Sequence, residues 1–224
     1  MTLGSESASA AWAVFCDLPA DHPAARALAD ASVRRSVAAS ETLIHQGDPD
    51  TALYLVVSGV LRAVKYSQNG HEIWLAGISP GDLVGELGCL TGQQRTSSVV
   101  VDSDAALLAV SSQKFLELMV QHAELSIAVS RLLAMRLSRT SDQLTELTAL
   151  PVPTRLHQEL LRSGTPDPDD SEVLVITSPP TISELAKRIH TSRETASRAF
   201  GSLEHQGLLK RVAGEVQVIN PRFS

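Results

Sequence analysis

Hydrophobic positions along the chain follow two periods, and the change between them divides it. From residue 53 to residue 110 the period is two: Leu53, Leu55 and Val57 alternate with Tyr54 and Val56, and Val60 and Val64 alternate with Leu61 and Ala63. Ile73 to Ile78, Ser98 to Val101 and Ala105 to Val110 are further predicted strands. Turn chemistry separates them at Gly47-Asp48-Pro49, Ser58-Gly59, Gln68-Asn69-Gly70, Pro80-Gly81-Asp82 and Asp102-Ser103-Asp104. Many short strands with glycine-bearing turns predict a small β-roll or barrel. Ahead of it, Ala24 to Val33 has helical spacing at Leu28 and Ala31, while residues 1 to about 10 are small and polar and read as disordered.

After Ser111 the pattern becomes helical. Ser112 is the expected cap of a short helix through Val120, and a long helix is expected from about Ala123 to Ala149, stopped by Pro151 and Pro153. Leu133, Leu137, Thr140, Leu144 and Leu147 are spaced four, three, four and three, a heptad seam that predicts pairing with a second helix. Thr140, with Ser141 beside it, puts hydroxyls into that seam, and such polar groups weaken it unless something satisfies them. Next come a helix over Arg155 to Leu161, a polar loop from Ser163 to Ser171 and a strand from Val173 to Ile176. Helices over Thr181 to Ile189 and Ser192 to His205, joined at His190, precede a hairpin over Leu208 to Val218 that turns at Ala213-Gly214. Helix, turn, helix and hairpin is the plan of a winged helix-turn-helix.

Composition is that of an ordinary globular protein: 224 residues, 43% apolar and 20% charged. No window approaches the length of a membrane span, and the apolar run Ala10 to Phe15 lacks a basic leader, so a cytoplasmic protein with no membrane partner is expected. Cys16 and Cys89 lack metal-ligand or disulfide spacing and read as reduced thiols. The net charge of −6 argues against non-specific nucleic-acid binding by the whole molecule. It is unevenly spread, because from Thr177 onward seven bases, including Lys187, Lys210, Arg211 and Arg222, face four acids.

Candidate chemistry concentrates at Gly85 to Ser97, GELGCLTGQQRTS. Glycine admits close approach of backbone N–H groups to an anion, the Glu86 carboxylate accepts sugar hydroxyls, and Arg95 followed by Thr96 and Ser97 can hold one phosphate. Alone, the stretch fits a phosphorylated-sugar site or a barrel turn with a surface arginine. In the second of the paired helices, Arg193, Glu194 and Arg198 project from one face and Ala196, Ala199, Phe200 and Leu203 from the other. Arginine pairs with guanine and glutamate accepts from cytosine in the major groove, so a G/C-containing half-site is expected. Thr191-x-x-Glu194 is a possible capping box, and Thr181-x-x-Glu184 reads as a structural one. A metal-dependent enzyme on a β-roll would need ligands such as His45, His71 and Glu72, but their spacing is wrong and no nucleophile–base pair can be assembled, so no catalysis is expected.

Four features in order (G-D-P-x-x-x-L-Y-x-V-x-S-G from Gly47 to Gly59, the Gly85–Ser97 stretch, the long helix with Thr140-Ser141, and S-R-E-T-x-x-R from Ser192 to Arg198) resemble the cAMP receptor protein and FNR family of bacterial transcription regulators over roughly residues 30 to 220. The resemblance implies an α+β fold: a double-stranded β-helix, or jelly-roll, cyclic-nucleotide-binding domain over 1–122, a dimerisation helix over 123–150 and a winged helix-turn-helix DNA-binding domain over 151–224. It implies ligand contacts at Gly85, Glu86, Leu87, Arg95 and Thr96, with Glu86 on the ribose and Arg95 on the phosphate. Thr140 and Ser141 resemble a pair that contacts adenine from both subunits, and Arg136 a neighbouring pocket arginine. Ser192, Arg193, Glu194 and Arg198 are the implied DNA contacts, on TGTGA-like half-sites of a palindrome. The implied effector is cAMP, with no other cofactor; cGMP, left open by Thr96, cyclic di-GMP and effector-independent binding are the alternatives. Implied partners are double-stranded DNA, a second copy of the chain and RNA polymerase. Two departures stand out: Pro151 and Pro153 occupy the hinge, implying a stiffer link, and Ile182 stands where relatives often carry a base for the DNA backbone.

Overall fold

The structure is a computed structural model that describes residues 5–67, 69–70, 72–168, 170 and 172–219, with backbone only at 5 and 6. Residues 1–4, Gln68, His71, Ser171 and Arg222, on which some expectations rested, lie outside the described residues. The chain forms two compact units, residues 1–137 and 138–224.

The first unit opens with helix α1 (Ser5–Cys16), so residues 5–10 are helical where disorder was expected. Ala8, Trp12, Ala13 and Cys16 recur on one face and are buried, and the Trp12 indole N–H donates to Ser32 Oγ at 2.8 Å. This apolar stripe outweighs the polar beginning of the segment. Helix α2 (Pro23–Ala31) starts on a proline with φ preset for a first turn and ends two residues before the expected Val33. The Ser32 hydroxyl donates to Leu28 O, closing the helix, and ψ 138° at Ser32 sends the chain into strand β1 (Val33–Val37).

Strands β2 (Thr42–Ile44), β3 (Leu53–Ser58), β4 (Leu61–Tyr66), β5 (Glu72–Ile78), β6 (Leu83–Val84), β7 (Ser98–Val101) and β8 (Ala105–Val110) complete the roll. They form two antiparallel four-stranded sheets, ordered β1-β8-β3-β6 and β2-β7-β4-β5, so strands distant in sequence are neighbours, as in a jelly roll. The alternation in β3 has a direct cause. Tyr54 and Val56 point into the core with Leu61, Val84, Val99 and Leu107, while Leu53 and Leu55 point the other way, against Trp12, Leu28 and Phe115.

Helix α3 (Glu86–Thr91) was not anticipated. Helix α4 (Ser112–Gln121) is capped by Ser111, one residue before the expected Ser112, whose own hydroxyl instead donates to Thr51 O. The long helix α5 (Ala123–Ala149) spans the expected residues and buries Leu125, Ala128, Val129 and Leu132 in the first unit. Further along, Leu137 and Leu144 of the seam are 69% and 63% exposed.

In the second unit, helix α6 runs Val152–Ser163, three residues earlier than expected, with Pro151 as N-cap and a proline in the first turn. The proline pair therefore opens α6 as well as ending α5. Strands β9 (Thr165–Pro166), β10 (Val173–Ile176), β11 (Leu209–Val212) and β12 (Glu215–Ile219) form a sheet ordered β11-β12-β10-β9. Helices α7 (Ile182–Arg188) and α8 (Arg193–His205) pack on it through Leu185, Ile189, Ala196, Ala199, Phe200 and Leu203. The β11–β12 hairpin turns where expected, with φ positive at both Ala213 (51°) and Gly214 (89°).

Candidate functional site

Strand β6 delivers the chain to Gly85, whose φ of 87° lies in the left-handed region. A Cβ there would stand 2.6 Å from Arg95 Nη1 and 2.7 Å from Ala52 O, so both conformation and space demand glycine. The segment carrying Arg95 is clamped to the β2–β3 loop by Gly47 N–H to Arg95 O (2.8 Å) and Arg95 N–H to Asp48 O (2.9 Å). Its side chain turns inward and is almost wholly buried. Nη1 donates to Gly85 O at 3.1 Å and Nη2 to Ala52 O at 2.5 Å, with Asp50 Oδ2 3.5 Å away. A desolvated guanidinium held by two neutral carbonyls is a strong anion acceptor, since a buried charge is stable only when paired.

Glu86, buried at 4% exposure, begins α3 directly after Gly85, which supplies no side-chain cap. Arg136 of α5 reaches it, Nη1 to Oε1 at 2.5 Å, while Nη2 donates to Leu83 O at 2.7 Å. The fold thus brings Gly85, Glu86, Arg95 and Arg136 together: a buried cation, a buried carboxylate and a glycine backbone, the set needed for one phosphate and one sugar hydroxyl. Leu87 and Thr96 flank this group with exposed side chains. Thr140 and Ser141 belong to the second unit, exposed on α5 one helical turn past Arg136. Asp50, Ala52 and Leu83, which hold the arginines, went unnoticed in the sequence; Asp50 fills an unspecified position of the Gly47–Gly59 motif, and backbone carbonyls leave no sequence signal.

Both cysteines are buried. Burial pushes Cys16 up to about 11, with the Glu124 charge adding to it, and burial likewise raises Cys89. Among the described residues no cluster of His, Cys, Asp and Glu could hold a metal ion, and no helix is long and apolar enough to cross a membrane.

In the second unit, Thr181 caps α7 through a full capping box: Glu184 N–H to Thr181 Oγ1 at 3.2 Å and Thr181 N–H to Glu184 Oε2 at 2.6 Å. The Thr181 backbone N–H, and then its hydroxyl, hold the Glu184 carboxyl below its usual range. Ser192, not Thr191, caps α8, by accepting from Thr195 N–H at 3.2 Å, so the Thr191–Glu194 box is not formed. Glu194, whose pKa its own backbone N–H and then Ser192 lower, shares an exposed face with Arg193 and Arg198. Arg211 of the hairpin stacks on Phe200, 4.4 Å from the ring centre, and pairs with Glu204 at 3.1 Å.

Residues 34–122 match the cyclic nucleotide-binding domain family and residues 154–222 the Crp-like helix-turn-helix domain family. Over 187 residues, 81% of this chain and 87% of the relative, the sequence is 30% identical to the cAMP-activated global transcriptional regulator CRP of Salmonella typhimurium. The chain belongs to the CRP/FNR family. A CRP-like cAMP-activated global transcriptional regulator of Mycobacterium tuberculosis is 29% identical over 173 residues, covering 75% of this chain and 76% of its own. Among solved structures, the c-di-GMP responsive global regulator CLP of Xanthomonas campestris shares the fold, with TM-score 0.72 and 23% identity over 88% of this chain and 98% of its own. The protein is accordingly a DNA-binding transcription regulator with a cyclic-nucleotide-binding domain, and not an enzyme.

Proposed function

We propose that this regulator binds cAMP, acts as a cytoplasmic homodimer, and recognises a TGTGA-like palindrome from which it engages RNA polymerase. The carrying observation is the buried Arg95 guanidinium beside buried Glu86, closed over by a glycine that leaves no room for a side chain. In this reading Arg95 takes the cyclic phosphate, Glu86 a ribose hydroxyl, and Gly85, Leu87 and Thr96 complete the contacts. Arg136 steadies Glu86, and Thr140 and Ser141, one from each subunit, receive the base. A ligand that contacts both helices strengthens the seam, and through it the dimer, by its differential affinity for the paired state. The exposed Leu137 and Leu144 stripe supports the second copy, since two such helices cover each other. Ser192, Arg193, Glu194 and Arg198 form the base-reading surface, and a two-fold dimer requires half-sites about one helical turn apart. The domains divide at about 1–122, 123–150 and 151–224.

Anisotropy of a labelled TGTGA-palindrome duplex with and without cAMP tests this directly, and cAMP is expected to tighten binding. Equal binding in both conditions sinks the effector reading, and no binding in either sinks the half-site. Titration calorimetry with cAMP, cGMP and cyclic di-GMP identifies the nucleotide; no heat with cAMP at tens of micromolar protein excludes it.

A further inference from the structure

Asp50 stands where a phosphate has to arrive. Arg95 already spends Nη1 and Nη2 on the carbonyls of Gly85 and Ala52, and Glu86 is engaged by Arg136. Among the described residues, the carboxylate that Arg95 faces is Asp50, Oδ2 to Nη2 at 3.5 Å. Asp50 is not a loose surface group. Its Oδ1 accepts the Ala52 N–H at 3.1 Å, a two-residue side-chain turn that aims the second oxygen at the guanidinium. The Asp50 side chain is 65% exposed whereas that of Arg95 is 3% exposed, so Asp50 occupies the solvent side of a buried cation. Any anion entering from solvent to pair with Arg95 comes close to a fixed negative charge.

We propose that Asp50 is a charge filter, favouring a singly charged cyclic phosphodiester over the doubly charged 5′-phosphomonoester of the same nucleoside. The proposal rests on the nucleotide reading of this cassette and adds a specificity element that Arg95, Glu86 and Gly85 do not supply. Attraction to Arg95 alone would reward the extra charge of a monoester. Asp50 opposes each unit of ligand charge equally, so its effect on a dianion is the square of its effect on a monoanion. At a separation of about 6 Å with water-like screening, suited to an exposed carboxylate, the repulsion weakens binding about threefold per unit charge. Specificity then comes from a repulsive element aimed at the more highly charged competitor.

The test uses the full chain at pH 8, where a phosphomonoester carries close to two charges. Affinities of cAMP, 5′-AMP, cGMP and 5′-GMP are measured by displacement of a fluorescent cyclic nucleotide for the wild type, Asp50→Asn and Asp50→Glu. Asparagine keeps the oxygen that accepts from Ala52 and replaces the charged oxygen facing Arg95 with a neutral amide group, while Asp50→Glu keeps the charge. Asp50→Asn is expected to tighten the cyclic nucleotide about threefold and the monophosphate about ninefold, narrowing selectivity about threefold, with the gain shrinking in high salt. Asp50→Glu retains the wild-type selectivity. An unchanged ratio in Asp50→Asn, with both ligands bound, overturns the filter and leaves the nucleotide site standing. A wild type that binds none of the four overturns the nucleotide reading, and the filter with it.

Discussion

The Glu86–Arg136 pair is unequal in burial, and the inequality predicts which partner is costlier to remove. The Glu86 side chain is 5% exposed, while that of Arg136 is 33% exposed and also bonds Leu83 O at 2.7 Å. Arg136→Ala strands a buried carboxylate and is expected to destabilise the first unit by about 3 kcal/mol, the lower end for a broken buried pair. Glu86→Ala leaves an arginine that solvent and a carbonyl still serve, at about 1–2 kcal/mol. The double variant removes the stranded charge with its partner and should be no less stable than Arg136→Ala, a coupling of about 1–2 kcal/mol. Both tryptophans of the chain, Trp12 and Trp74, lie within residues 1–137, so urea unfolding followed by their fluorescence reads this unit alone. With an m-value of about 2 kcal/mol/M, the midpoint should fall by about 1.5 M for Arg136→Ala and by about 0.5–1 M for Glu86→Ala. If Glu86→Ala falls as far as Arg136→Ala, burial does not set the energetics of the pair and the argument fails.

Gly85→Ala forces a Cβ against Arg95 and Ala52 at positive φ, so about 1–3 kcal/mol of strain and loss of cyclic-nucleotide binding are expected from urea unfolding and calorimetry. Burial, with the Arg155 charge adding to it, lowers the pKa of His190 in the folded state. Its stabilising contribution is therefore complete above about pH 6.5 and declines as the pH falls from there through the lowered folded value, because the unfolded chain binds the proton more readily. His190→Asn, which tolerates the positive φ of 51°, should flatten that part of the pH profile in thermal melts of the second unit. Glu184 has the opposite protonation chemistry and the same sign: its lowered pKa gives stability that is present above about pH 4.3 and lost as the pH falls through the folded value. Glu184→Ala should accordingly cost about 1 kcal/mol at neutral pH and progressively less in acid, read as the gap between the two melting curves.

Regular elements and their faces were legible where one period ran uninterrupted. Strands β7, β8 and β10, helix α5 and the hairpin turn at Ala213-Gly214 fall where alternation, heptads and turn residues put them. Errors gather where a side-chain cap competes with its neighbour: Ser111 rather than Ser112 starts α4, and Ser192 rather than Thr191 starts α8. In each case two adjacent hydroxyls suit the cap, and at α4 a tertiary contact chooses between them. Ser112 is drawn to Thr51 O, leaving the helix to Ser111. Helix α1 was missed because small residues looked like a loop, although Trp12 is completely buried. The cassette was legible as a set of residue types, but its geometry was not. That Glu86 meets Arg136 fifty positions away, and that Arg95 turns inward to carbonyls, depends on long-range packing alone.

Those internal partners alter how ligand affinity should be understood. Arg95 and Glu86 are not bare groups awaiting a nucleotide, since each is already engaged by protein oxygen or nitrogen. The two carbonyls facing Arg95 use its inward donors and carry no net charge, so they orient the guanidinium without neutralising it, and an anion adds to them. Asp50 does neutralise it in part, and an anion must contend with Asp50. Arg136 likewise pins one oxygen of Glu86 and leaves the other to accept a hydroxyl, since a carboxylate has acceptor sites to spare. Preorganisation of this kind lowers the ordering cost of binding. The selectivity of the site then depends on the charge that stays beside Arg95 as well as on the contacts the ligand gains. A variant that removes an orienting contact, such as Gly85→Ala, should weaken every nucleotide alike. One that removes the fixed opposing charge, Asp50→Asn, should instead narrow the margin between singly and doubly charged ligands.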